Sequence, residues 1–372
     1  MSDRSAPPFR ADHVGSLLRP PELRRARDDF AAGRISAEQL RRWEDRAIRE
    51  AVRMQEDVGL SSATDGEFRR GSWHVDFISR LDGVTLGEDV RRLPAYNERG
   101  TVEYAANVLR ITGRIGLGET IFGDDFAFLE AATTSATPKL TIPSPSMLIA
   151  RAGREPLPNA VYRDVEEFAG DVTAAYAEEV RRLAELGCTY LQLDDTTLAF
   201  LNDPVLRARM APEGHDPDHA HEFNIRNINR ALASRPAGLT VTVHLCRGNF
   251  RSSWFSEGGY DFVAEALFSE LEVDGFFLEY DDARSGSFEP LRFVPPDKLV
   301  VLGLVTTKRG ALEAGDALKR RVEAASRYVP LERLCISPQC GFASTLEGNA
   351  LSLDEERAKL ALVVETAAEI WG

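Results

Sequence analysis

The chain has 372 residues, 43% hydrophobic and 28% charged, and a net charge of −14 from 45 basic and 59 acidic side chains. That length fits two ordinary domains or one elaborated barrel, and the acidic balance argues against nucleic acid or an anionic membrane as the main partner. There is no apolar run long enough to span a bilayer and no apolar signal segment at the start, and four cysteines are too few for a disulfide scaffold; the expectation is a cytoplasmic enzyme with reduced thiols.

Residues 1–11 are polar and proline-containing and read as a loose arm. Residues 12–17 form a short first strand that runs into a turn, followed by charged helices over 21–32 and 36–58, the latter stopped by Gly59. Residues 61–67 read as a second strand ending in acids, and 68–80 as a helical turn. Residues 82–120 differ: short β-rich runs separated by Gly, Asn and Asp predict an insertion, a small sheet or lid. A third strand at 139–145 is closed by Pro143 and Pro145. The helix predicted over 164–186 stops at Gly187. Further strands follow at 189–195, 239–245, 275–280, 298–305 and 333–338, separated by helical stretches, and a helix over 354–370 ends the chain.

Eight apolar strands alternating with helices argue for a parallel sheet buried on both faces. The count points to one (β/α)8 barrel over 1–372. A doubly wound sheet is the alternative, but no Gly-x-Gly-x-x-Gly turn follows the first strand. In a barrel of this kind the carboxyl ends of the strands form the active-site face. Ser16, Glu67, Ser144, Asp194, His244, Cys246, Glu279 and Thr306 all sit at such ends, with Cys340 just past the eighth strand.

His244 and Cys246 lie two apart, so in an extended strand both side chains point the same way. One imidazole and one thiol make half of a tetrahedral zinc site, and Glu279, from the next strand end, and Cys340, from the top of the eighth strand, supply the other half. Cys335 and Cys188 read as structural. A rival cluster, His215 to His221, is interrupted by Pro217 and reads as a solvated helix start. His13, beside Gly15 and Ser16, is a candidate substrate contact.

These motifs resemble the catalytic barrel of cobalamin-independent methionine synthase, in its short, single-barrel branch, over nearly the whole chain. The segments that carry the resemblance are Thr64–Arg70, His244–Phe250, Phe276–Asp282 and Ser337–Phe342. The resemblance implies Zn2+ on His244, Cys246, Glu279 and Cys340. It also implies a homocysteine carboxylate at Gly15 and Ser16, with the amino group held by Glu67 and Asp194. The implied reaction transfers a methyl group from 5-methyltetrahydrofolate to the zinc-bound thiolate, giving methionine. Such a metal activates a thiol, whose thiolate is the nucleophile.

Departures from the family concern the methyl donor. The second barrel of the long enzymes is absent. No histidine follows the seventh strand, where the chain reads Gly303-Leu304-Val305-Thr306-Thr307-Lys308, which leaves Lys308, Asp282 and His13 as proton-donor candidates. The tryptophan of the third strand is missing, with Trp73 or Trp254 as substitutes. The related epoxyalkane:coenzyme M transferases offer a second reading, thiol alkylation with a sulfonated thiol. Glu67 and Asp194, suited to an ammonium group, count against it. The oligomeric state is open, a homo-oligomer included.

Overall fold

The computed structural model describes residues 6–152, 157–158, 160–210 and 216–372. In chain order the strands are β1 (Ser62–Ala63), β2 (Asp82–Asn97), β3 (Gly100–Gly116), β4 (Thr137–Pro138) and β5 (Leu140–Pro143). They continue with β6 (Tyr190–Asp195), β7 (Thr240–Leu245), β8 (Gly275–Glu279), β9 (Leu299–Val305) and β10 (Leu334–Pro338). Strands β5 to β10 lie side by side in sequence order and all run parallel.

Shorter pieces close the ring. Residues 10–12 pair with β10 through Asp12 N–H to Ile336 O (3.1 Å) and Ile336 N–H to Arg10 O (2.9 Å). On the other side β1 pairs in parallel with β4, which leads directly into β5. The first strand and β1 are joined by Leu17 N–H to Gly66 O (3.1 Å) and by the Thr64 hydroxyl donating to Gly15 O (2.6 Å). The architecture is a (β/α)8 barrel.

Register decides which side chains face inward. Asp194, His244, Phe277, Val301 and Cys335 follow one another across β6 to β10. Phe277, Val301 and Cys335 pack with Val14 in a small apolar cluster of their own, the inside of the barrel. Their chain neighbours Val243, Phe276, Leu278, Val300 and Ile336 join the large cluster between barrel and helices. Below the inner layer, Lys139 is fully buried against Asp12 (3.2 Å), which also accepts from the Tyr190 and Ser62 hydroxyls. The helices are stopped and started by local chemistry. Ser36 with Gln39 and Ser352 with Glu355 form capping boxes, and Asp164 caps the helix Val165–Glu185, which ends before Gly187 at φ +97°.

Three expectations change on the structure. The arm is not loose from Pro8 onward: Phe9 and Arg10 are buried, and Arg10 donates to Glu332 O and Leu334 O. Residues 68–80 give only one turn of helix, Val75–Ile78. The preceding bend is held instead by Asp76, which accepts from Gly71 and Ser72 N–H. Where short β runs were expected after residue 82, β2 and β3 form one long antiparallel ribbon with a tight turn after Asn97. Its base is fixed by Ile115 N–H to the Tyr162 hydroxyl (2.6 Å) and by Arg114 to Asp171 (2.8 Å). Further out, Tyr96 exchanges two backbone hydrogen bonds with Trp254.

Candidate metal centre and active site

His244 and Cys246 project from the end of β7, Glu279 from the end of β8, and Cys340 from the turn after β10. One ligand atom from each lies within 4.8 Å of the others, and all four residues are buried. The strand ladders explain the convergence. Glu279 stands opposite Gly303 of β9, and a Cβ there would come within 2.8 Å of Leu278 O. Cys246 extends the ladder by donating its N–H to Asp195 O (2.8 Å). Arg247 then turns the chain away. It is buried and donates to Gly258 O, the Tyr260 hydroxyl and Glu279 O, while its own N–H donates to Glu279 Oε1 (2.8 Å). Gly248, at φ +94°, completes the turn where Phe255 leaves no room for a side chain.

The donor set fits a soft-to-borderline divalent ion. The two sulfurs are 3.4 Å apart, and two thiolates on one tetrahedral zinc ion stand about 3.8 Å apart. Neither ring nitrogen of His244 has a hydrogen-bond partner although both are buried, which is costly unless something binds them. Electrostatics favour one ionised thiol of the pair. The Cys246 hydrogen bond and the nearby His244 lower the Cys340 pKa against the cost of burial, so Cys340 ionises first and Cys246 is raised in turn. Burial works against charging His244, yet Cys340, Asp194 and Glu279 outweigh it and raise its pKa. Burial pushes Glu279 up.

Above this cluster opens a cavity of about 770 Å3, lined among others by Ser16, Glu67, Trp73, His74, Asp194, His244, Cys246 and Cys340. Glu67 sits in a tight turn at φ +59°, with its N–H bonded to Asp65. Its Oε1 accepts from Thr141 (3.0 Å), with Arg70 at 3.7 Å, and its Oε2 is buried without a partner. Burial lifts the Asp194 pKa to about 7, partly offset by His244, and Gln192 donates to its Oδ1 (2.7 Å). Ser16 Oγ accepts from Ala343 N–H (3.4 Å), tying the first-strand turn to the turn that carries Cys340. Gly15 does not line the cavity. It supports the turn from below at φ +148°, where a Cβ would strike Thr141 at 2.7 Å.

Other candidates fall elsewhere. His13 is buried outside the cavity, its pKa lowered to about 4 by burial and by Lys139, because alternation turns Asp12 and Val14 inward and His13 outward. Lys308 does not line the cavity either. Its Nζ is buried without a hydrogen-bond partner. Asp282 caps a short 3-10 turn and pairs with Arg284. Trp73 lines the cavity, whereas Trp254 lies under Arg284 and donates to Glu257. Cys335 belongs to the inner apolar layer and Cys188 to the barrel–helix layer. Of the rival histidines, His215 is outside the described residues, and the exposed His219 bonds Asp216 (2.9 Å) with no metal-like grouping among the described residues.

Sequence reasoning expected a small sheet or lid over 82–120 but named none of its cavity-lining residues. The ribbon brings Arg91, Leu93, Pro94, Tyr96 and Tyr104 to it, and Tyr104 packs on Phe250 and Phe255 at 4.8 and 5.4 Å between ring centroids. Also missed was Asn249, which donates to Gly341 O (2.6 Å) and links the Cys246 and Cys340 turns. The Asn after a His-x-Cys strand end was the available signal.

Comparison with known proteins settles the family. The model of the cobalamin-independent synthase catalytic domain matches residues 9–369. The chain belongs to that family. The Bacillus subtilis protein YxjG, itself uncharacterized, is 48% identical over 99% of this chain and 96% of its own. The methionine synthase of Saccharolobus solfataricus is 24% identical over 88% of this chain and 86% of its own. A Listeria monocytogenes crystal structure, described provisionally as a vitamin-B12-independent methionine synthase, superposes with a TM-score of 0.77. It is 39% identical and covers 99% of this chain and 100% of its own. The family's catalytic barrel and this barrel therefore coincide, and the four-residue cluster lies at the mouth where (β/α)8 enzymes work.

Proposed function

We propose that this chain, a methyltransferase of the cobalamin-independent synthase family, methylates homocysteine to methionine at a zinc ion held by His244, Cys246, Glu279 and Cys340. The donor in this reading is 5-methyltetrahydrofolate. The observation that carries the proposal is the buried His/Cys/Glu/Cys cluster beside the partnerless Oε2 of Glu67. When bound, zinc supplies a Lewis-acid centre that favours the thiolate form of a substrate sulfur near neutral pH.

The chain's own residues do the positioning. Glu67 and Asp194 line the cavity within one wall and hold the substrate ammonium through charge-assisted hydrogen bonds. Thr141 and Arg70 fix one Glu67 oxygen, which leaves the other aimed at the ligand. Ser16 and its turn receive the carboxylate. Two buried acids close together favour a cationic guest, since binding an ammonium removes their mutual repulsion. Trp73 offers an aromatic face to the donor, and the ribbon acts as a lid that keeps bulk water from the reacting sulfur. The whole chain then works as one catalytic barrel.

Reduced cysteines and the thiolate site suit the cytoplasm; no described helix is long and apolar enough to cross a membrane. The test is to incubate the zinc-loaded protein with homocysteine and methylfolates of one or several glutamates, with methylcobalamin alongside, and to assay methionine. Product with a methylfolate is expected, and no product with any donor refutes the proposal.

A further inference from the structure

The site described above leaves one buried charge without a task. Strand β9 runs between β8, which carries Glu279, and β10, which leads to Cys340. The turn after β9 is tightly pinned. Thr306 N–H is bonded to Glu313 (3.0 Å) and Thr307 N–H to Gln339 (2.6 Å), while Asn349 donates to Thr307 O (2.8 Å). From this fixed turn the Lys308 side chain carries its Nζ into the protein, where it has no hydrogen-bond partner. A buried ammonium without partners is expensive. The other buried cation beside the cluster, Arg247, is satisfied by Gly258, Tyr260 and Glu279 oxygens. The charge of Lys308 is felt by two of the proposed metal ligands. The two are Glu279 and Cys340, which places the buried, unpartnered ammonium beside that edge of the cluster.

We propose that Lys308 is the built-in counter-ion of the metal centre, a positioning residue whose fixed positive charge lets the centre accept a substrate as an anionic thiolate. The inference rests on the zinc reading of the preceding section. Two cysteinates and one carboxylate around a dication leave a net charge of −1, from the ionised forms of the ligands. Lys308 brings the region to neutrality. A substrate thiol that enters as thiolate and gives its proton to solvent adds another negative charge, so the region reaches −1 with Lys308 and would reach −2 without it. A thioether adds none. Lys308 therefore separates the two ends of the reaction: it strengthens binding of the thiol substrate and leaves binding of the methylated product nearly unchanged.

The experiment compares full-length wild-type protein with K308M, K308Q and K308R, each loaded with zinc and checked for metal content. Affinities for homocysteine and for methionine are measured by titration calorimetry at one pH. A unit charge about 6–12 Å away, at an effective dielectric of about 20, is worth about one to two orders of magnitude in binding. K308M is expected to weaken homocysteine by at least about tenfold and methionine by no more than about twofold, with K308R restoring most of the loss. K308Q keeps a polar tip and should give the same ratio, so it serves if K308M does not hold its fold. Equal loss for both ligands, or no loss for homocysteine, overturns the role of Lys308 while leaving the methyltransferase reading intact. Wild-type protein that takes up no zinc, or binds no homocysteine when loaded, overturns both.

Discussion

The inner wall of the cavity stands on strand ends, and its outer wall is made by a ribbon and by turns. Asp194, His244 and Glu279 are held by the ladders of adjacent parallel strands, and each of them is buried. Tyr96, Tyr104, Leu93 and Arg91 reach the same cavity from a two-stranded ribbon whose outward positions are largely exposed. The difference matches the two demands of the proposed reaction. A thiol, an ammonium and a metal ion need donors fixed to a fraction of an ångström. A bulky methyl donor needs a wall that admits it and then excludes water.

Substitutions separate the two walls, and the largest effect is expected at the metal. Cys246→Ser should weaken zinc binding by more than the roughly 10–100-fold that loss of an outer partner costs. It should also abolish methyl transfer while circular dichroism and the melting temperature stay near wild type; wholesale unfolding would mean the cluster is a structural staple. Next comes Glu67→Gln. Losing one charge-assisted hydrogen bond, about 1.5–3 kcal/mol, should weaken homocysteine by roughly 10–100-fold. A thiol acid without an amino group should bind as before, and an equal loss for both would remove the ammonium from the account.

A smaller effect is expected on the ribbon. Tyr104→Ala removes aromatic contacts with Phe250 and Phe255 worth about 0.5–1.5 kcal/mol. It should raise the donor KM by about two- to tenfold and leave homocysteine affinity unchanged. A change confined to homocysteine would show that the ribbon does not serve the donor.

The smallest effect concerns the frame of the thiol wall. Glu356 is buried with its pKa raised to about 8, chiefly by burial, and it accepts from Leu18 N–H (2.8 Å) just beyond the Ser16 turn. Its folded-state value lies above the unfolded value of about 4.3. Its contribution to stability is therefore complete at acid pH, falls as pH rises from about 4.3 to about 8, and is level beyond. Relative to Glu356→Gln, wild-type melting temperature should decline across that window, and a constant difference would contradict the burial assignment.

The inner wall was legible in the sequence because each of its parts obeys a local rule. The i, i+2 spacing of His244 and Cys246 puts both on one side of a strand, and strand-end acids mark the barrel mouth. His13 was singled out only for its place beside Gly15 and Ser16; in a strand so short, only contact with Lys139 and Tyr190 shows that Asp12 is the inward residue. Lys308 follows the seventh strand as a catalytic residue would, yet its Nζ is buried and it does not line the cavity. The outer wall was legible only as an insertion, not in its side chains. It depends on contacts such as Tyr104 with Phe250, made between distant parts of the chain by side chains whose local pattern is only that of an exposed ribbon.

The measurement that bears most directly on the account is X-ray absorption at the zinc edge of the loaded protein, before and after addition of homocysteine. The account predicts a shell of two sulfurs with nitrogen and oxygen that gains a third sulfur when the thiol binds. A shell unchanged by saturating homocysteine would contradict it.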